Sequence, residues 1–219
     1  MTGLNLKIII GSTRPGRAAD RLIPWVSGLA TAHGAFDVDV LDLRDWPLPF
    51  FAETWETIGD PRNPAYSTRI VKEWNQRVAQ GDAYLFITPE YNHSIPAVLK
   101  NAIDSVFVSF AFRNKPAAFV AYSGGTAAGV RAIEHLAHIC IEAEMVPLRS
   151  TVVVPAVGEA FDDSGQPVNP RAAAAAAILL DDLQWWATAL KTARAERVLP
   201  PAAFRSMAAH ASSAAAASD

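Results

Sequence analysis

Cysteine is almost absent: Cys140 stands alone among 219 residues, so no internal disulfide can staple the fold. Long apolar runs are missing too. The longest, from Ala172 to Leu180, is about half of the ~20 residues that cross a bilayer, so no membrane partner is expected. Net charge is scarce, and a balance of -3 supplies no positive field to hold a polyanion by counterion release. Nucleic acid is therefore not an expected partner. The N-terminal stretch into Ile8-Ile9-Ile10 is too short for a signal peptide and lacks its cleavage pattern. With one unpaired cysteine, the expected compartment is the cytoplasm.

Missing motifs narrow the chemistry further. No glycine loop carries the Lys-Ser/Thr pair of a P-loop, and there is no Gly-x-Gly-x-x-Gly or Gly-x-Ser-x-Gly. His33, His93, His135, His138 and His210 form no metal-ligand set; His135 and His138 share a helical face without a matching carboxylate or thiol, so no metal is expected. Cys140, in an apolar helical context, reads as a small core residue. The pair Trp185 and Trp186 reads as packing of a helix against a sheet.

Apolar residues are plentiful, at 51%, and they come in bursts separated by stretches of helical spacing. That alternation is the pattern of βα units on a parallel sheet. Five strands are expected over 4–10, 36–43, 83–88, 117–122 and 146–154, with helices over 17–32, 66–80, 96–107, 127–144 and 170–196. Asn169 and Pro170 suit the start of the last helix. The proline-rich connection over 45–64 has no periodicity and is expected to be functional or interfacial. Residues 1–199 form the expected domain, and the Ala/Ser-rich segment 200–219 is expected to be a low-complexity, disordered tail. The fold class is an α/β doubly wound open sheet, whose ligands sit beyond the carboxyl ends of the strands.

Three loops leave those strand ends. Gly11-Ser12-Thr13-Arg14-Pro15-Gly16-Arg17 follows the first strand and opens a helix; its amides, the Ser12 and Thr13 hydroxyls and the charges of Arg14 and Arg17 match a terminal phosphate. Read plainly, it is also a glycine-proline turn with a capped helix. Pro89-Glu90-Tyr91-Asn92 follows the third strand, offering stiff backbone to the edge of a planar heteroaromatic ring and an aromatic face at Tyr91; Ser94 could cap the next helix. Ser123, Gly124 and Gly125 follow the fourth strand, where missing side chains admit close approach of a ligand. Each of these could be a plain turn. Their convergence on one sheet edge argues for a site.

GSTRPGR at 11–17, PEYNHSIPAVLKNAIDSV at 89–106, YSGG at 122–125 and DLRDWPLPFF at 42–51 resemble the NADPH-dependent FMN reductase family, whose relatives include azoreductases, quinone reductases and chromate reductases. The resemblance covers about residues 4–193. It implies a flavodoxin-like three-layer α/β/α fold with strand order 2-1-3-4-5 and bound FMN. By the same resemblance the phosphate falls to Ser12, Thr13, Arg14 and Arg17, and the isoalloxazine to Pro89, Glu90, Tyr91, Asn92, Ser123, Gly124 and Gly125. NADPH or NADH is then the transient donor and a small molecule the acceptor, in a homodimer or homotetramer built through 96–107 and the proline-rich loop. No protein acid or base is implied, because the flavin itself takes the hydride. Ala128, where the family commonly has glycine, and the tail after Pro200 depart from the pattern. A flavodoxin-like electron carrier without nucleotide oxidase activity is the alternative, and a flavin-free binding protein on the same fold is a third reading.

Overall fold

The computed structural model describes residues 3–216. Five strands, β1 (Leu4–Ile10), β2 (Phe36–Asp42), β3 (Ala83–Pro89), β4 (Pro116–Tyr122) and β5 (Val146–Val154), pair in parallel in the order β2-β1-β3-β4-β5. Because successive side chains point to opposite faces, β1 divides its apolar residues between two cores. Leu6, Ile8 and Ile10 join Ala83, Leu85 and Ile87 of β3 and Ala118 and Val120 of β4 beneath helices α1 (Ala19–Ala32) and α6 (Pro170–Glu196). Ile9, Tyr84, Phe86 and Phe119 point the other way, onto α3 (Arg69–Ala79), α4 (Ala97–Asp104) and α5 (Val130–Glu142). Cover on both faces explains why the central strands read as continuous apolar runs.

Helix starts differ from the expected ones for a backbone reason. Tyr66, at φ 48°, and Ala128 and Gly129, at φ 56° and 92°, lie in the left-handed region, so α3 and α5 begin three residues later than their apolar spacing suggests. The conformation of Ala128 accounts for glycine being common there, since glycine adopts it without strain. The expected helix over 96–107 ends at Asp104 and passes into a 3-10 turn, Phe107–Ser109. Ser94 does not cap α4, whose N-cap is Pro96. Asn169 does cap α6, accepting from the Arg171 amide.

The proline-rich connection holds one short helix, α2 (Trp55–Ile58), closed by a capping box between Thr54 and Thr57. The segment expected to be a disordered tail instead carries α7 (Ala202–Ala216), while 217–219 lie outside the described residues. Alanine is the strongest helix former, so the low complexity that suggested disorder also favours a helix. Arg113 ties it down by donating to the Leu199 and Pro200 carbonyls, and Phe204 meets Phe110 edge-on at 5.4 Å. Trp185 and Trp186 do not pack against the sheet. The buried stripe of α6 runs through Ala176, Leu179, Leu180, Leu183 and Ala187, and the two indoles fall outside it, 65% and 37% exposed.

At the amino edge of the sheet, opposite the three loops, Lys115 is buried and donates to the carbonyls of Ala79 and Ala111, at 2.9 and 2.8 Å, with the Tyr84 hydroxyl 3.1 Å away. Burial pushes its pKa down to about 7. The unfolded chain, near 10.4, therefore holds a proton that the folded chain has released, and stability rises with pH across that window. The gain in unfolding free energy between pH 7 and 10 should be smaller in Lys115→Met than in the unsubstituted protein. Equal gains in denaturant titrations of the two would disprove it.

Candidate functional site

The three loops meet. Residues Arg14 to Ala18, Pro89 to Tyr91, and Tyr122 to Gly124 line a single cavity of 200 Å³, closed by Val157. A second cavity, of 330 Å³, lies along the first loop and the connection after β2, lined by Thr13, Leu43, Arg44, Trp46, Leu48 and Asn101 among others. Ligand pockets run to roughly 300–1,000 Å³; the cavity shared by the three loops is smaller than that, and the second lies just inside the range. The largest cavity described, 540 Å³, lies elsewhere, between α1 and the turn at 161–166. Its walls carry Asp20, Asp162 and Asp163, which suit an anion poorly.

The first loop fits a phosphate on its backbone. The N–H groups of Thr13, Arg14, Gly16 and Arg17 donate to no other group among the described residues, and Gly16 takes φ 64°. Successive free amides at the mouth of α1 form the kind of nest that binds anions. Ser12 is fully buried and its hydroxyl bonds the Tyr91 hydroxyl at 2.8 Å; the exposed Arg14 guanidinium stands 5.3 Å from the centre of the Tyr91 ring. Arg17 is the exception. Its guanidinium is engaged by Asp42, Asp20 and the Ser12 carbonyl, and although burial opposes its charge, the bonds to Asp42 and then Asp20 raise its pKa.

The second loop is braced by its own backbone. Tyr91 and Ser94 exchange two backbone hydrogen bonds, at 2.9 and 3.1 Å, around Asn92 and His93, both at positive φ, which is the pattern of a type I′ turn. Two contacts fasten this loop to α5. Glu90, 4% exposed in its side chain, pairs with Arg131, and the Ser94 hydroxyl bonds His135 Nδ1 at 2.8 Å. In the third loop the Ser123 hydroxyl donates to the Gly125 carbonyl at 2.9 Å; a Cβ placed on Gly124 or Gly125 would meet nothing within 4 Å. Asp42, Asp20, Arg44, Arg131 and His135 were not singled out from the sequence as site residues. Apart from the short Arg17–Asp20 and Arg44–Asp42 bonds, they act across 24 to 41 positions, and local spacing carries no sign of such distant partners.

A doubly wound parallel sheet in the order β2-β1-β3-β4-β5, with the loops after β1, β3 and β4 lining one cavity beyond the strand ends, has the flavodoxin-like architecture. The chain matches the model of the family described as NADPH-dependent FMN reductase over residues 4–159, and it belongs to that family. An NAD(P)H-dependent FMN reductase of Pseudomonas aeruginosa is 31% identical over 186 residues, which cover 84% of this chain and 95% of that protein. One from Schizosaccharomyces pombe is 33% identical over 117 residues, 53% of this chain; the match spans 56% of that protein's length. Among solved structures, the flavoenzyme NAD(P)H:(acceptor) oxidoreductase FerB of Paracoccus denitrificans superposes with a TM-score of 0.67 at 23% identity, covering 84% of this chain and 97% of its own, a likeness of fold.

Proposed function

We propose that the chain is an NAD(P)H-dependent FMN reductase that passes electrons from the reduced nucleotide to a small acceptor such as free flavin, a quinone, an azo compound or a metal oxyanion. The observation that carries this reading is the single cavity shared by all three loops, in a chain of this family. When bound, FMN would supply the hydride and electron chemistry that the protein's own side chains do not. The protein's share is binding and orientation. Free amides of the first loop, with Ser12, Thr13 and Arg14, hold the phosphate. The backbone of Pro89, Glu90, Tyr91 and Asn92 would hold the ring's edge, and Ser123, Gly124 and Gly125 would admit its face.

Residues 1–199 are the FMN-binding unit in this reading, and its compartment is the cytoplasm, in keeping with a lone cysteine whose thiol burial holds unreactive. The working assembly is a homodimer or homotetramer. Supporting it, the connection after β2 is fixed to α4 by Asn101, which bonds the Phe51 amide and the Pro49 carbonyl at 2.8 Å each, and there it presents Phe50, 86% exposed, beside Phe51, Trp55 and Val98. A monomer by sedimentation velocity would remove that part of the reading.

The decisive experiment is an anaerobic titration of the FMN-loaded protein with NADPH and then NADH. Rapid bleaching of the oxidised-flavin band by either is the expected result. Bound flavin that neither nucleotide bleaches would instead mark an electron carrier, and failure to bind FMN would overturn the assignment of all three loops.

A further inference from the structure

Arg17 is poorly placed to receive an incoming anion. Its side chain is 2% exposed, and four of its five N–H donors are already used. Nε donates to Asp20 at 2.8 Å; Nη1 donates to Asp42 at 2.6 Å and to the Ser12 carbonyl; Nη2 donates to the other oxygen of Asp42. Asp42 is the last residue of β2, and the chain leaving it continues the same net. The Arg44 amide donates to Asp42 at 3.0 Å, while the Arg44 guanidinium donates to both oxygens of Asp20 at 3.2 Å and to the Arg14 carbonyl at 2.5 Å. Three arginines and two aspartates leave one net positive charge. The only one of the three with neither carboxylate partner is Arg14.

Two carbonyls of the first loop, those of Ser12 and Arg14, are thus held by guanidinium groups anchored on β2 and α1. A carbonyl so occupied does not face an anion, and its neighbouring amides are left free to do so. We propose that Asp42, through Arg17, is a positioning residue for the terminal phosphate, that Arg44 and Asp20 complete the frame, and that Arg14 with the loop amides meets the phosphate itself. This rests on the FMN reading above and moves Arg17 from ligand to frame.

The sign of one substitution separates the two roles. If Arg17 were a direct phosphate ligand held back by Asp42, Asp42→Asn would release it and FMN would bind more tightly. If Asp42 positions the loop, the same change lets the loop carbonyls turn and FMN binds more weakly. The probe is flavin fluorescence quenching with FMN and with riboflavin, which lacks the phosphate. Asp42→Asn and Arg17→Lys, the latter keeping the charge and losing the two-pronged fork, are each expected to lower the ratio of FMN to riboflavin affinity by about ten-fold or more. Arg14→Gln is expected to lower it as well. Asp39→Asn serves as a control, because Asp39 lies on the same strand and pairs with Lys7 and Arg77, at 2.7 and 2.6 Å, away from the loop; it should leave the ratio unchanged.

A folded Asp42→Asn with tighter FMN binding, or Arg17→Lys with an unaltered ratio, would overturn the proposal. If Asp42→Asn does not fold, Arg17→Lys and Asp42→Glu, which keeps the charge and changes its reach, decide the matter by the same ratio. An unsubstituted protein that binds riboflavin as well as FMN would sink the phosphate assignment, and one that binds neither would sink the FMN reading beneath it.

Discussion

Gly129→Ala lowers the unfolding free energy by about 3–5 kcal/mol and the melting temperature by roughly 10 °C or more, the largest stability loss we expect from adding one methyl group to this chain. Gly129 is the N-cap of α5, and its φ of 92° is one that side chains rarely adopt. Added strain alone would amount to about 1–3 kcal/mol. The new Cβ would also stand 2.6 Å from the Ala121 Cβ and 2.7 Å from the Tyr122 amide nitrogen. Neither neighbour can give way, since both belong to β4, held between β3 and β5, and are buried. Overpacking against fixed backbone adds about 1–3 kcal/mol more. Domains of this kind hold only about 5–15 kcal/mol in all. Urea denaturation with an unchanged m-value and a lowered midpoint is the check, and a midpoint within error of the unsubstituted protein would refute it.

Strands were legible in the sequence because β1, β3 and β4 are covered on both faces, which forces runs such as Leu85-Phe86-Ile87. The starts of α3 and α5 were not, because they depend on Tyr66, Ala128 and Gly129 in left-handed conformations, whereas Asn169 and Pro170 marked the start of α6. The site shows the same division. Ser12, Thr13 and Arg14, the Pro89–Asn92 stretch and the Ser123-Gly124-Gly125 turn stand out because glycine, proline and hydroxyl residues gather at the carboxyl strand ends, where doubly wound sheets place their sites. The pairs Asp42 with Arg17, Glu90 with Arg131 and Ser94 with His135 do not stand out, since a charge or hydroxyl in sequence looks the same whether solvated or partnered. The resemblance puts Arg17 among the phosphate ligands, whereas its guanidinium is taken up by Asp42, Asp20 and the Ser12 carbonyl. Its buried, doubly paired state could not be read from its position.

Gly124→Val should do the opposite of Gly129→Ala, leaving the fold intact and removing the ligand. Gly124 is exposed at the end of β4, lines the cavity shared by the three loops, and has ordinary backbone torsions outside the positive-φ set. A Cβ there meets nothing within 4 Å, so the folded protein has no reason to resist one. Unfolding free energy should stay within about 0.5 kcal/mol of the original, as for surface substitutions generally. Space that is open to the protein is not open to a flavin ring lying against this turn, and a branched side chain would push that ring off the backbone it approaches. FMN affinity is expected to fall by about 100-fold, equivalent to roughly 2.8 kcal/mol. Riboflavin should lose as much as FMN, because the obstruction is at the ring and not at the phosphate. Equilibrium dialysis with both flavins, run beside a melting curve, checks the prediction. Undiminished binding of both would place the ring elsewhere than over the β4 turn, whereas loss of FMN alone would put the phosphate, and not the ring, at Gly124.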